Sequence, residues 1–323
     1  MFILDCVCVA HMAGDSSDRS RAATDAEAAF MTLSHDLRLE ILLALWDAPG
    51  FTLSFAELRK AVGERDSGSF TYHLSELRDH FVAKTDEGYE LQYPGHRVLD
   101  AIQSGVFHEQ VTVGPVELDD DCRACGGRLT FEYGTDYVAR IRCPDCGNRA
   151  LEWLFDPGGI ADRDDDAIVA AFDRRTRLVW SCALDGVCPF CAGRVDRELT
   201  GRVHEEGACI GVVEQLDRYD EYFARDHPAV VAVDCHRCSF YSFVPAGVVL
   251  LTRPAVTGRL HEAGVDLRAT PLWNLGFVVD ADAVAVRETE PTRVEVAVPD
   301  ADESLAFTVG ESCDVVRETT AER

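Results

Sequence analysis

Lysine is nearly missing from this 323-residue chain: of its 31 basic residues only Lys60 and Lys84 are lysine, and the rest are arginine. Against them stand 57 Asp and Glu, for a formal net charge of −26. Low lysine with excess carboxylate resembles the proteins of a halophilic cytosol, where molar potassium screens repulsion to within about 3 Å. An acidic surface made for one partner is the alternative. The charge is instead spread with length: −1 over 1–24, −7 over 25–105 and −13 from 122 onward, with −5 concentrated in 106–121. It says more about the solvent than about a ligand.

Long apolar runs are missing too. The longest, 243–251, is nine residues with Pro245 inside it, well short of the roughly 18 that a membrane-spanning helix needs. A secretory leader is also not visible: the apolar opening contains Asp5 and lacks a basic leading region, so a cytoplasmic protein is expected. With Met12 and Met31 downstream, residues 1–24 read as a disordered tail or a misplaced start. The last third has no Gly-rich phosphate loop and no nucleophile motif, so no enzyme is expected. With 47% apolar and 27% charged residues the chain is nonetheless globular, with enough apolar surface for two or three cores.

Thirteen cysteines in a small secreted chain would suggest disulfides. Here eight of them form four Cys-x2-Cys pairs in a chain without an export signal, and such pairs point to metal. Cys122–Cys125 and Cys143–Cys146 stand 17 residues apart, the spacing of a four-cysteine zinc ribbon, with Gly126, Gly127 and Gly147 free to turn backbone amides toward sulfur. Strands are expected over 129–133 and 137–142. The second set is Cys188–Cys191 and Cys235–Cys238, with 43 residues between the pairs. Cys125-Gly-Gly-Arg128 matches Cys191-Ala-Gly-Arg194, which implies an internal repeat of ribbon plus following helix. The second copy carries an insertion of about 26 residues, holding a helix over 213–224, a longer loop of modest entropic cost. Four thiolates leave no coordination position for water, so two zinc ions per chain would be structural. His204 and His236 read as surface histidines, and Cys182, Cys209 and Cys313 as unpaired core thiols.

The first third is organised differently. Phe30, Leu33, Leu37, Ile41, Ala44 and Leu45 recur at helical spacing, and Ser34 could cap a break among them. Ser54 with Glu57 forms a capping box for a second helix, Phe55, Leu58 and Val62 facing inward, closed by Gly63. A third helix starts near Asp66 or Ser67 and buries Phe70, Leu74, Leu77 and Phe81. Residues 82–85, a turn at Asp86-Glu87-Gly88, and alternating Tyr89, Leu91 and Tyr93 predict a hairpin. Pro94 opens a further helix with Val98, Leu99 and Ile102 inward.

Three strings carry a resemblance: Leu37-Arg38-Leu39-Glu40-Ile41-Leu42, Phe70-Thr71-Tyr72-His73-Leu74-Ser75-Glu76-Leu77 and Asp86-Glu87-Gly88-Tyr89-Glu90-Leu91. Over about a quarter of the chain they resemble ArsR-type winged-helix transcriptional regulators of the haloarchaeal kind. The resemblance implies a homodimer on double-stranded DNA with the third helix in the major groove. Ser67, Ser69, Thr71, Tyr72, His73 and Ser75 would read bases or hold phosphate there, with Lys84 on the wing. The family's metal-sensing cysteine triplet is absent, since Arg59-Lys60-Ala61 stands at its place. Cys6-Val7-Cys8 reads as coincidence. Against DNA contact, residues 25–105 hold 14 acidic and 7 basic side chains, where nucleic-acid domains are usually basic.

The expected fold is α+β: a winged helix-turn-helix over 25–105, an acidic linker over 106–121, a first zinc ribbon over 122–163, a helix plus second ribbon-like module over 164–264, and a β-rich segment over 265–323. Within the last, strands are expected over 277–279, 284–286, 294–298 and 305–309. The expected function is transcriptional regulation, with no effector or operator legible. The alternatives are a protein-interaction adaptor of the transcription machinery, or a thiol- or zinc-responsive switch.

Overall fold

The computed structural model describes residues 26–78, 80–202, 209–210, 228–262, 264–299 and 303–322. The opening tail, the Cys6-Val7-Cys8 triplet, His204 and the helix expected over 213–224 lie outside them. The described residues form a mixture of helices and antiparallel sheets in two units, 26–109 with 156–158, and 110–155 with 159–322.

In the N-terminal unit a helix whose described part spans 26–33 (α1) is followed by α2, Asp36–Trp46. The expected break is present, but Ser34 is not its cap. The Ser34 hydroxyl donates back to the Met31 carbonyl at 2.8 Å, and His35 caps α2 by accepting from the Leu37 amide at 3.2 Å. In α3, Phe55–Ala61, both bonds of the Ser54–Glu57 capping box are made, and those bonds hold the Glu57 carboxyl below its ordinary value. Asp66 caps α4, Ser67–Leu77, by accepting from the amides of Gly68 and Ser69 at 2.7 and 3.3 Å.

Strands β2, Val82–Lys84, and β3, Tyr89–Leu91, form the hairpin, and a two-residue strand β1, Thr52–Leu53, adds to β3 to give the order β1-β3-β2. Gly88 makes this possible, because a Cβ there would lie 2.3 Å from the Leu53 carbonyl oxygen. Helix α5, Tyr93–Gln103, has Pro94 in its first turn. Ile41, Leu42, Leu45, Leu58, Phe70 and Leu77 are fully buried in one core. Burial of each such side chain contributes about 1.5–3 kcal/mol.

The C-terminal unit carries three four-stranded antiparallel sheets around a single core. The first is β4, Val113–Asp121, β5, Arg128–Tyr133, β6, Val138–Arg142, and β7, Arg149–Leu154, in chain order. The expected acidic linker is therefore largely a strand. Leu118 faces the core while Glu117, Asp119 and Asp121 lie on the exposed side, so three of the linker's five carboxylates share one face of an edge strand. Asp120 accepts from Trp273 Nε1 at 2.8 Å and Asn274 Nδ2 at 2.6 Å, which fixes the strand to the unit's core.

Helix α6, Asp165–Leu184, capped by Asp164, follows the first sheet. The second sheet combines β8, Val195–Arg202, β9, Cys209–Ile210, β10, Ala229–Cys235, and β11, Tyr241–Pro245, in the order β11-β10-β8-β9. Helix α7, Pro254–Glu262, comes next. The run expected as a strand at 277–279 is instead a helical turn, α8, Gly276–Val279. A Cβ on Gly247 would stand 1.8 Å from the Phe277 carbonyl oxygen, so close packing outweighs the β preference of three apolar residues. The last sheet is β12, Val284–Thr289, β13, Thr292–Pro299, β14, Glu303–Gly310, and β15, Val315–Glu322, in chain order.

Candidate metal centres

Each cysteine group is built by two tight turns. Cys122 and Cys125 lie on the turn joining β4 to β5, and Cys143 and Cys146 on the turn joining β6 to β7. In the second group Cys188 and Cys191 precede β8, while Cys235 ends β10 and Cys238 lies on the turn from β10 to β11. Within each group the four sulfurs all lie within 4.8 Å of one another. Cys122 and Cys146 are 3.7 Å apart and Cys125 and Cys143 3.5 Å, while Cys188 and Cys238 are 3.6 Å apart and Cys191 and Cys235 3.5 Å. An ion bonded to four sulfurs at 2.3 Å in a tetrahedron holds them about 3.8 Å apart, whereas a disulfide sets two at about 2.05 Å. The geometry fits the ion.

In the first turn of each copy the expected repeat holds bond by bond. Cys122 N–H donates to the Gly127 carbonyl at 2.6 Å and Gly126 N–H to the Cys122 carbonyl at 2.7 Å; Cys188 with Gly193, and Ala192 with Cys188, do the same at 2.8 and 3.0 Å. Gly127 and Gly193 each donate to the preceding cysteine sulfur at 3.4 Å. Strands β8, β10 and β11 pair as β5, β6 and β7 do, and only the fourth strand differs, β4 coming before its ribbon and β9 from the insertion.

Amide-to-sulfur bonds tune the thiols. Burial pushes Cys122 up, but the amides of Ala124 and Cys125, with Cys146 and Asn148, outweigh it and bring the thiol to about 7. Burial also opposes ionisation of Cys235, yet the amides of Cys238 and Arg237 hold it at about 7. Gly127 N–H favours a Cys125 thiolate, but the crowding sulfurs of Cys146 and Cys143 push that thiol up to about 12. Four thiols this close do not ionise together without a cation among them. His236 stands outside the group, at the surface, its Nε2 2.6 Å from Asp196.

The residues expected on the DNA-reading face lie on α4 and the hairpin. Ser67, Thr71, Tyr72, Ser75 and Lys84 are exposed and Ser69 is half-buried. The hydroxyl of Thr71 donates to the Ser67 carbonyl and that of Ser75 to the Tyr72 carbonyl, both at 2.7 Å. His73 is different: it is 9% exposed and faces α2. Its Nδ1 accepts from Arg38 Nε at 3.2 Å, and the His35 ring packs on it with centroids 3.9 Å apart. Burial, then the charges of His35 and Arg38, lower its pKa.

Arg38 is the residue that sequence reasoning passed over. It is 8% exposed and also donates to the Thr32 carbonyl at 2.9 Å and to Glu76 at 3.3 Å, tying α1 and α2 to α4. Its signal was available: position 38 falls at core spacing with Ile41, Leu42 and Leu45, where an arginine needs partners.

Residues 119–315 match a family model described as a domain of unknown function (DUF7351), and residues 26–102 match another, also described as a domain of unknown function (DUF7347). No curated protein and no solved structure matches the chain.

Proposed function

Because the chain belongs to the DUF7351 family, whose description carries no activity, its own residues must supply the reading, and we propose a cytosolic DNA-binding transcriptional regulator braced by two structural zinc ions. In this reading the N-terminal unit is a winged helix: α2, α3 and α4 are the helical core, α4 lies in the major groove, and the β2–β3 hairpin is the wing. The observation that carries it is the exposed face of α4, where Thr71, Tyr72 and Ser75 stand clear of solvent-excluding neighbours while Phe70, Leu74 and Leu77 anchor the helix from behind. His73 leaves the set of base readers and becomes, with Arg38, part of what orients the helix.

Cys122, Cys125, Cys143 and Cys146 would hold one zinc ion, and Cys188, Cys191, Cys235 and Cys238 the other. Bound there, zinc supplies folding free energy and no open position for catalysis. Footprinting on genomic fragments in molar potassium chloride tests the DNA reading. Site-selective protection is expected for the wild type and its loss for Thr71→Ala with Tyr72→Ala; unchanged protection in that variant would overturn direct reading. The net −7 of residues 25–105 favours the alternative of an adaptor that docks on other proteins, and promoter occupancy that survives the double variant would select it.

A further inference from the structure

The two cysteine modules share their turns but not what the turns present. Between the cysteines the first copy carries Arg123, Ala124, Pro144 and Asp145, and the second Pro189, Phe190, His236 and Arg237. In the first copy Arg123, also exposed, is paired, its Nε 2.8 and 2.9 Å from the Asp280 carboxylate. In the second, Phe190 is 47% exposed, and Arg237 is exposed with no carboxylate partner among the described residues. Arg237 rises beside Gly193, in the same turn as Phe190, its Cβ 2.9 Å from the point where a Gly193 Cβ would stand. From α6, Arg175 sets its guanidinium 5.9 Å over the Phe190 ring, and the neighbouring Arg174 is exposed and likewise without a carboxylate partner among the described residues. A chain of net charge −26 thus sets the guanidinium of Arg175 over an exposed aromatic ring, with Arg237 in the adjoining turn and Arg174 next to Arg175 along α6, none of the three with a carboxylate partner among the described residues.

We propose that the second cysteine module binds single-stranded nucleic acid, with an unpaired base stacking on Phe190 and Arg175 and the flanking phosphates taken by Arg174 and Arg237. Aromatic faces combined with cations are the means by which proteins hold single strands, because every base has a stacking face whatever its sequence. A duplex keeps those faces inside its own stack, so it could use the arginines but not the ring. An acidic peptide could use the arginines and would be anchored by the nearby exposed Leu178; it forms a separate arm of the test. The proposal does not rest on the winged-helix reading, since this surface belongs to the other unit.

The first copy supplies the test variant. Phe190→Ala with Arg237→Asp gives the second module the side chains that the first carries as Ala124 and Asp145, so the turn and its metal are retained; an unchanged metal-to-chain ratio checks this. Fluorescence anisotropy of the full chain is measured with labelled oligothymidylate and oligouridylate of roughly twelve nucleotides, their duplex forms and an oligoglutamate peptide, at several salt concentrations. The wild type is expected to bind the single strands. Phe190→Ala should weaken binding about tenfold or more, and Arg237→Asp should lower the slope of log affinity against log salt by about 0.7 or more. Duplex binding should be unchanged by Phe190→Ala, whereas Arg237→Asp acts on both forms only through their phosphates and should lower the salt slope of each. The proposal is overturned if the wild type binds neither single strand or if Phe190→Ala leaves single-strand binding intact. Parallel loss of duplex and single-strand binding in Phe190→Ala, or a preference for the peptide, would overturn it as well.

Discussion

Asp173→Ala should remove a large share of the C-terminal unit's stability. The carboxylate, on α6, is 6% exposed; it accepts from Arg177 Nε at 2.7 Å and from the Leu272 amide at 2.7 Å. Arg177 also donates to the Leu267 carbonyl at 2.9 Å and to that of Thr270. These bonds fix the chain that leads into the buried pair Leu272 and Trp273. Removing the carboxylate leaves a guanidinium only 17% exposed without its counter-charge, together with an orphaned amide. Breaking a buried pair costs about 3–5 kcal/mol and an orphaned amide about 1–3, and because one carboxylate serves both, about 4 kcal/mol is expected in total. That is about a quarter or more of an ordinary domain's margin of roughly 5–15 kcal/mol. Arg177→Met in the same background removes the stranded charge, so the double variant should be about 2 kcal/mol more stable than the sum of the single variants implies. Urea unfolding followed by tryptophan emission reads both quantities, and high salt should change them little because the pair is buried. A cost under about 1 kcal/mol, or strict additivity, would refute the assignment of this pair as a brace.

Purified protein should carry two zinc ions per chain, and Cys143→Ser or Cys235→Ser should each remove one. Because structural zinc contributes about 10–16 kcal/mol, more than a typical domain's margin, chelation should melt the C-terminal unit and spare the far-ultraviolet signal of the N-terminal helices. Gly126 has φ +76° with nothing within 4 Å of its would-be Cβ, while Ala192 occupies the equivalent turn position at φ +57°. Gly126→Ala should therefore cost about 1 kcal/mol and Ala192→Gly should gain a similar amount, both read from denaturation midpoints; a gain for Gly126→Ala would contradict the equivalence. His73 has a lowered pKa in the fold, so between that value and the unfolded value near 6.5 the unfolded chain binds the extra proton. The N-terminal unit should be fully stable above that unfolded value and lose stability as pH falls below it, and His73→Gln should flatten the response in that window.

Much of the N-terminal unit was legible because each element announces itself locally. Ser54 with Glu57, Asp66 before Phe70, and the Asp86-Glu87-Gly88 turn are short-range signals, and the structure places a cap or turn at each. What escaped depends on partners distant in sequence. Strand β1 exists only because Thr52 and Leu53 meet Glu90 and Tyr89. His73 looked available for DNA until Arg38, 35 residues earlier, was seen to occupy its Nδ1. The cysteine groups were legible because Cys-x2-Cys encodes its own turn, and the repeat because Cys-x-Gly-Arg recurs. Strand β15 was missed because it pairs only along one edge and shows solvent Val316, Arg317, Glu318 and Thr319 in succession, with no apolar alternation to detect.

The acidity of the chain turns out to be informative through its exceptions. Where carboxylates outnumber cations by almost two to one, a cation finds a partner easily, and in the C-terminal unit most do: Arg123 with Asp280, Arg140 with Asp136, Arg142 with Glu152, Arg253 with Asp314 and Arg287 with Glu295. Each of these spends a guanidinium on the fold. A cation left unpaired in such a surface forgoes an attraction that is abundant nearby, though each exposed pair forgone is worth at most about 1 kcal/mol. Among the described residues Arg65, Arg78 and Lys84 around α4, and Arg174 and Arg237 beside the second cysteine group, have no carboxylate partner. Arg59, Lys60, Arg268 and Arg317 have none either, so lack of a partner alone does not mark a site; what sets the two groups apart is the exposed Tyr72 on α4 and the exposed Phe190 in the second cysteine module. Net charge argues against a polyanionic partner only if charge is averaged over the molecule, whereas contact is made by patches a few residues wide, on the scale of the Debye length or less.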